Sequence, residues 1–253
     1  MLIKKGILLS FWLLVGAGAA LAASNGPALE KANNDVENIA SLQRGARNFM
    51  NYCSGCHSAK YVRYTTIAKD LELTEDQVVA NLMFNAEKTF ETIQVNMPED
   101  QSRRWFGNAP PDLSLMARSK GTDYIYNFLR GFYIDADSPT GVDNLFLAGT
   151  SMPHVLWELQ GFQEAEYVTE QQKGENGEMA SVTRFEGFKP VMAGAMNAAQ
   201  YDDFVRDTVN FLEYISEPIR STRRVLGTWV LMFLIFFYIV ASMLKKQIWK
   251  DVS

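Results

Sequence analysis

Hydrophobic residues recur at helical spacing in two stretches that lie at opposite ends of a long mixed region. The first predicts a helix from about Ser41 to Tyr52, with an apolar stripe formed by Leu42, Ala46, Phe49, Met50 and Cys53. The second opens at Asn197 and Gln200, which form a helix cap and capping box, and its stripe consists of Tyr201, Phe204, Val205, Thr208, Leu212 and Ile215. We expect these two helices to cross, with Gly45 permitting close contact.

The region between the two helices mixes short helical patterns with turn-rich segments. A capping pattern at Thr74 predicts a helix that runs to about residue 88, and a further helix is expected over residues 122–132. Residues 89–112 are predicted to be irregular, because the consecutive prolines Pro110 and Pro111 exclude regular helix pairing. Residues 166–185 predict a hairpin around a turn that contains Gly174, Asn176 and Gly177.

Two uniformly apolar runs stand apart from this pattern. Residues 1–23 place two lysines, an apolar run and then small residues in the order typical of a secretory signal peptide. Residues 225–244 contain no charge, and as a helix they are long enough to cross about 30 Å of hydrocarbon. Trp249 and neighbouring lysines follow this run as interfacial anchors. The sequence therefore predicts one C-terminal transmembrane helix in contact with lipid.

These runs divide the chain into a signal peptide (1–23), an exported domain (24–218) and a membrane anchor (219–253) with a short cytoplasmic tail. Three basic residues precede the span and three follow it, so the charge bias does not set its orientation. Export of the N-terminal part sets the orientation instead, and it places the large domain outside the cytoplasm.

The exported part of the chain is acidic. Residues 23–224 carry 19 Lys and Arg against 28 Asp and Glu, a net charge of −9. Such a surface attracts a basic partner and repels nucleic acid, although it equally serves solubility.

The chemistry is concentrated in the segment from Cys53 to His57, with the sequence CSGCH. Two cysteines three positions apart, followed at once by histidine, is the spacing for covalent attachment of haem through two thioethers, with the histidine as an iron ligand. A thioredoxin-type dithiol would leave the histidine unexplained. A zinc site would need both histidines of the chain, His57 and His154, beside the two cysteines. We therefore expect one haem c, held by Cys53 and Cys56.

The second axial ligand decides what such a haem does. A methionine thioether fills the sixth position and favours electron transfer, whereas an open position suits ligand binding or peroxide chemistry. Met152 is attractive because Pro153 fixes its loop, while Met192 and Met196 are rivals and Met97 is a weaker one. His154 would give a bis-histidine haem. For the anionic propionates the candidate partners are Arg118, Tyr124 and Tyr126.

The sequence resembles the cytochrome c1 family, the membrane-anchored haem subunit of the cytochrome bc1 complex. The resemblance rests on SLQRGA at 41–46, NYCSGCHSAK at 51–60, APPDLS at 109–114 and FLEY at 211–214 before Pro218 and the anchor. It implies a mainly α c-type cytochrome domain with insertions, plus one C-terminal transmembrane helix. It also implies haem attachment at Cys53 and Cys56, iron ligation by His57 and Met152, and cofactor contacts from Pro110 and Arg118.

The same resemblance implies a function and a location. Family members accept an electron from the Rieske iron–sulfur protein, pass it to a cytochrome c, and assemble with cytochrome b. The chain is then a bacterial inner-membrane, single-pass protein with its haem domain in the periplasm, and it contributes to the ubiquinol–cytochrome c reductase without catalysing turnover alone. Two alternatives are another membrane-tethered cytochrome, such as an oxidase-associated one, and a haem enzyme with an open sixth position.

Overall fold

The computed structural model describes residues 27–173 and 179–251. The predicted signal peptide and the turn of the predicted hairpin lie outside the described residues. The helices are α1 (Ile39–Tyr52), α2 (Tyr64–Asp70), α3 (Glu75–Asn81), α4 (Glu99–Phe106), α5 (Met116–Lys120), α6 (Thr122–Arg130), α7 (Trp157–Gln160), α8 (Ala198–Ser216) and α9 (Arg220–Ile248). The strands form three antiparallel pairs, β1 (Ala59–Arg63) with β2 (Thr92–Ile93), β3 (Phe132–Ile134) with β4 (Val142–Asn144), and β5 (Gly161–Lys173) with β6 (Met179–Ala193).

Helices α1 and α8 cross at the centre of the core, as the two apolar stripes predict. The Asn38 side chain caps α1, and Asn197 and Gln200 form the predicted capping box of α8. The crossing is close because Gly45 has no side chain. A Cβ at this position would lie 2.1 Å from the Asp207 carbonyl oxygen and 2.7 Å from Phe211 Cβ. The predicted role of Gly45 is therefore confirmed.

A partly buried polar network fixes the same crossing in one register. The Asp207 carboxylate accepts hydrogen bonds from Ser41 Oγ (2.6 Å) and from Arg44 Nε (2.5 Å) and Nη2 (2.9 Å). Asn210 Nδ2 donates to Ser41 Oγ over 2.9 Å. Charge-assisted hydrogen bonds need specific geometry, so this network selects one rotation and one offset of the two helices.

Two predictions about the first half of the chain are wrong. Helix α3 ends at Asn81 instead of near residue 88. At this end the Asn81 side-chain amide donates to the Gln77 carbonyl and so competes with the backbone hydrogen bonds of the helix. Residues 89–112 are not irregular throughout, because α4 begins directly after Pro98. Acidic residues in its first turn and arginines in its last turn suit the helix dipole.

The second half of the chain contains more strand than the sequence predicts. Helix α6 ends at Arg130, two residues before its expected end, because Gly131 leads into the β3–β4 hairpin. The predicted hairpin of residues 166–185 is present and extends over all of β5 and β6. Strand pairing depends on contacts distant in sequence, so its full length is not visible in a local pattern.

Helix α9 contains the predicted membrane span. Its residues Thr222–Ile248 are long and apolar enough to cross a membrane. None of the apolar window within this stretch is buried by the rest of the protein. Ion pairs join this helix to the end of α8, between Arg223 and Glu217 (2.6 Å) and between Arg220 and Glu213. The anchor is thus attached to the helix that forms half of the central crossing.

Replacing Gly45 by alanine should destabilise the crossing. The new methyl group meets backbone that cannot rotate away, so we expect a cost of about 2 kcal/mol, or roughly 4–8 °C in the unfolding midpoint. The measurement is thermal unfolding of the haem-loaded protein in detergent. Gly187→Ala is the matched control, because a Cβ there meets no atom within 4 Å. Equal midpoints for the two variants would contradict the assigned role.

Candidate haem site

A cavity of about 470 Å³ lies against the α1–α8 crossing. This volume is within the usual range for small-molecule and cofactor sites. Helices α1 and α8 form one wall, and α6 and the segments around residues 106–116 and 147–156 form the others. Its apolar lining includes Phe106, Ala109, Pro110, Pro111, Leu113, Ile125, Phe128, Leu129, Leu147, Val155, Leu156, Phe204 and Leu212.

The end of α1 brings the CSGCH segment into this cavity. Cys53, Cys56 and His57 all contribute to the lining. The Cys53 amide still donates to the Phe49 carbonyl, and the amides of Cys56 and His57 both donate to the Cys53 carbonyl, over 3.0 and 2.8 Å. This tight turn presents both sulfurs and the imidazole to the same space.

The orientation of the His57 ring suits an iron ligand. Its Nδ1 lies 2.8 Å from the Pro111 carbonyl oxygen, which can only accept a hydrogen bond. Nδ1 therefore carries the proton, and the Nε2 lone pair is left for a metal. Burial lowers the pKa of His57, so the ring is neutral, as ligation requires. The Pro111 segment is itself fixed, because the Leu113 amide donates to the Ser58 carbonyl over 2.8 Å.

Cys53 and Cys56 lie in an environment unlike that of a reactive dithiol. Burial, aided by Cys56, raises the pKa of Cys53 to about 12, and burial also raises the pKa of Cys56. Redox-active cysteine pairs need a lowered pKa, so the surroundings of this pair do not fit that chemistry. The zinc alternative is not supported either, since His154 does not line the cavity that contains His57.

Of the methionines weighed from the sequence, the cavity contains Met152. Met192 is 44% exposed on β6, and Met196 lines a separate groove beside the β5–β6 hairpin. Met97 is not part of the lining. The structure adds Met116, at the start of α5, which also lines the cavity and which the sequence reasoning did not consider as a ligand.

His154 lies outside the cavity lining. Its ring stacks on Phe132 with a centroid distance of 5.0 Å and meets the edge of Phe162 at 6.2 Å. Burial lowers its pKa to about 4, although the Gly161 backbone acts in the opposite direction. Among the described residues neither ring nitrogen has a partner with regular hydrogen-bond geometry. His154 thus packs as a neutral aromatic residue, and a bis-histidine haem is not the arrangement found.

The predicted propionate partners separate into two groups. Tyr124 lines the cavity, as does the expected cofactor contact Pro110. Arg118 is exposed and Tyr126 is buried, and both lie outside the lining. Among the described residues, Lys120 is the one Lys, Arg, Asp or Glu that lines the cavity. Its Nζ lies 5.7 Å from the centre of the Tyr124 ring. Met116 and Lys120 are four residues apart on α5 and share a face, so Arg118 projects from the other side.

This combination of residues fits a covalently bound haem. The cavity collects two cysteines, a histidine with a free Nε2, a methionine thioether and a flat apolar surround, within a mainly helical fold that ends in a membrane-length helix. Fold and site together define a membrane-anchored c-type cytochrome.

Comparisons with known proteins narrow this class to one family. The family described as "Cytochrome C1 family" matches residues 32–252. A cytochrome c1 of Allochromatium vinosum is 44% identical over 248 residues, which cover 98% of this chain and 99% of that protein. The ammonia monooxygenase gamma subunit of Nitrosomonas europaea is 38% identical over 224 residues, 88% of each chain. A cytochrome c1 of Rhodospirillum rubrum is 28% identical over 293 residues, 100% of this chain and 98% of that protein.

The chain belongs to the cytochrome c1 family. Its cofactor is one covalent c-type haem, and its role is that of a haem electron-transfer subunit of the cytochrome bc1 type. The mainly α fold with one C-terminal membrane helix is confirmed.

Substitution of the cavity methionines tests the sixth ligand. In Met152→Leu we expect loss of the sulfur-to-iron charge-transfer band of the oxidised protein and a lower reduction potential, because the thioether stabilises reduced haem. Met116→Leu makes the same chemical change elsewhere in the cavity lining, and this variant should retain the band. Met192→Leu and Met196→Leu serve as controls outside the cavity. Loss of the band in Met116→Leu alone would reassign the ligand.

A matched pair of charge removals tests the propionate side. Lys120→Gln should lower the haem reduction potential, because the positive charge of Lys120 stabilises the reduced form, which carries one more electron. We expect a shift of tens of mV, on the order of the effect of one screened charge at ~10 Å. Arg118→Gln removes the same charge from the opposite face of α5 and should shift the potential less. Redox titration of both variants measures the effect. A larger shift in Arg118→Gln would restore the original assignment.

Proposed function

We propose that this chain carries electrons from a Rieske iron–sulfur protein, through its haem, to a cytochrome c acceptor within a ubiquinol–cytochrome c reductase. The observation that carries the proposal is the meeting of Cys53, Cys56, His57 and Met152 in one cavity. Cys53 and Cys56 would hold the macrocycle by thioethers, and His57 and Met152 would ligate its iron. When bound, the haem supplies one-electron chemistry, which needs no substrate pocket.

The rim of the cavity supports exchange of electrons with protein partners. Tyr52 and Leu147 line the cavity and are 36% and 49% exposed. Asn108 and Lys120 on the same rim are also exposed. The edge of a haem bound in this cavity would lie close to the protein surface at this opening. His57, at 9% exposure, stays shielded from water. Electrons can therefore enter and leave while the iron ligands remain in place.

The location is part of the same proposal. The predicted signal peptide and the haem-attachment motif both favour export, so the haem domain faces the periplasm of a bacterial cell. Helix α9 then crosses the inner membrane once and leaves a short tail in the cytoplasm. The ion pairs of Arg220 and Arg223 with α8 hold the domain near the outer surface of the membrane. The net charge of −9 over residues 23–224 favours a basic soluble acceptor.

The chain supplies one step of the overall reaction. The two cysteines of its sequence both belong to the haem motif, so the iron–sulfur cluster must reside on a partner chain. Quinol oxidation is accordingly assigned to the assembly, in which cytochrome b and the Rieske protein are the expected neighbours. The chain is a relay whose turnover depends on both.

Isolation in a gentle detergent, followed by reduction with quinol, tests the proposal. We expect the haem protein to co-purify with a cytochrome b and a Rieske protein, and its haem to be reduced by quinol only while the Rieske protein is present. Co-purification with copper–haem oxidase subunits, or with subunits of an ammonia monooxygenase, would contradict the assignment. Binding of carbon monoxide to the unaltered reduced protein would instead favour an enzyme with an open sixth position.

A further inference from the structure

The loop that supplies Met152 begins at the end of a short hairpin. Strand β4 pairs with β3, with Asp143 opposite Tyr133 and Asn144 opposite Phe132. After Asn144 the chain turns back, and residues 147–153 run along the cavity. The position of the Met152 thioether thus depends on how this loop is attached to β4.

Asp143 makes that attachment with one carboxylate oxygen. Its Oδ1 accepts hydrogen bonds from the backbone amides of Gly149 (2.8 Å) and Thr150 (3.3 Å). The residue is 8% exposed, so water competes weakly for this oxygen. Hydrogen bonds to an ionised acceptor are among the stronger ones in proteins. A single buried side chain therefore binds two successive amides just before Met152.

The backbone around these amides is shaped for the contact. Gly149 has φ +71°, a conformation that few other residues adopt without strain, and it turns both amides toward β4. Thr150 then extends the attachment, since its Oγ1 accepts from the Met152 amide over 3.4 Å. The sequence of contacts runs from Asp143 through two amides to the backbone of Met152.

The other end of the loop is fixed to the cavity wall. Asn144 Oδ1 accepts from the Phe146 amide over 3.0 Å, and Asn144 Nδ2 donates to the Phe128 carbonyl over 2.8 Å. Phe128 lies on α6 and lines the cavity. Because this end is held independently of Asp143, loss of the carboxylate should free residues 149–152 without releasing the hairpin.

We propose that Asp143 is a positioning residue for the sixth iron ligand. Asp143 lies outside the cavity lining, but its carboxylate fixes the Gly149–Thr150 backbone and would thereby set where the Met152 sulfur is presented to a bound haem. A neutral thioether tolerates little misplacement, since productive site geometry is held to within about 0.5 Å. The inference rests on the proposed ligand role of Met152.

The test compares Asp143→Ala with Asp123→Ala in the full-length membrane protein. Asp123 also accepts a backbone hydrogen bond, from the Ala32 amide over 2.9 Å, but it lies outside the cavity lining. The probes are the methionine-to-iron charge-transfer band and the affinity of the oxidised haem for added imidazole. We expect Asp143→Ala to weaken the band and to bind imidazole about tenfold more tightly, in line with the loss of charge-assisted hydrogen bonds. Asp123→Ala should lower only the unfolding midpoint.

The conservative variant separates positioning from bulk stability. Asp143→Asn keeps an oxygen in place to accept both amides, so imidazole binding should return most of the way to the unaltered value. Identical imidazole affinity in Asp143→Ala and in the unaltered protein would overturn the proposal, whatever the change in stability. If Met152→Leu leaves the band intact, the ligand assignment itself has failed, and this result is distinct from a failure of Asp143.

A measurement on the unaltered protein covers the case in which Asp143→Ala does not accumulate. Hydrogen–deuterium exchange should then show the amides of Gly149 and Thr150 protected to a degree comparable with those of β4. Exchange of these two amides at the rate of an unstructured loop would overturn the proposal.

Discussion

The haem site depends on the absence of a side chain at Gly45. With no Cβ between them, α1 and α8 approach until the Asp207 carbonyl and Phe211 occupy the space that any other residue would fill. The approach brings α1 and α8 side chains together as one wall of the cavity, with Asn48 and Tyr52 on one side and Phe204, Thr208 and Leu212 on the other. Asn48 Nδ2 joins them by donating to the Phe204 carbonyl and to Thr208 Oγ1, each over 3.2 Å.

Helices α5 and α6 complete the lining together with two largely irregular segments, and each of these segments fixes one of the two proposed iron ligands. On the histidine side, the Pro111 carbonyl holds the His57 ring and sets its tautomer. On the methionine side, the β3–β4 hairpin carries the loop that ends at Met152. Outer-sphere electron transfer requires that ligands move little between the two oxidation states, and both loops are tied by hydrogen bonds to regular elements. A rigid crossing and two anchored loops are thus what the relay requires of the fold.

Several of these features are readable from local sequence, and others are not. Three of them depend only on residues near one another in the chain, so the local pattern is sufficient to predict them: the CSGCH spacing, the Asn197 capping box and the charge-free run over 225–244. Helix α4 is not evident from the sequence, although its charges suit a helix, because prolines lie on both sides of it. The five residues of α5 are too few to show which side of the helix faces the cavity, so the sequence indicates Arg118 and does not identify Lys120. Met116 and the length of β5–β6 depend on contacts made only in the folded chain.

All of these features serve a haem joined covalently to Cys53 and Cys56 beside His57. Its most direct test is the intact mass of the protein after denaturation without reductant. We expect the mass of the polypeptide plus one haem, with both thiols unavailable to alkylation. A mass of the polypeptide alone, or one lower by two hydrogens from a Cys53–Cys56 disulfide, would contradict it.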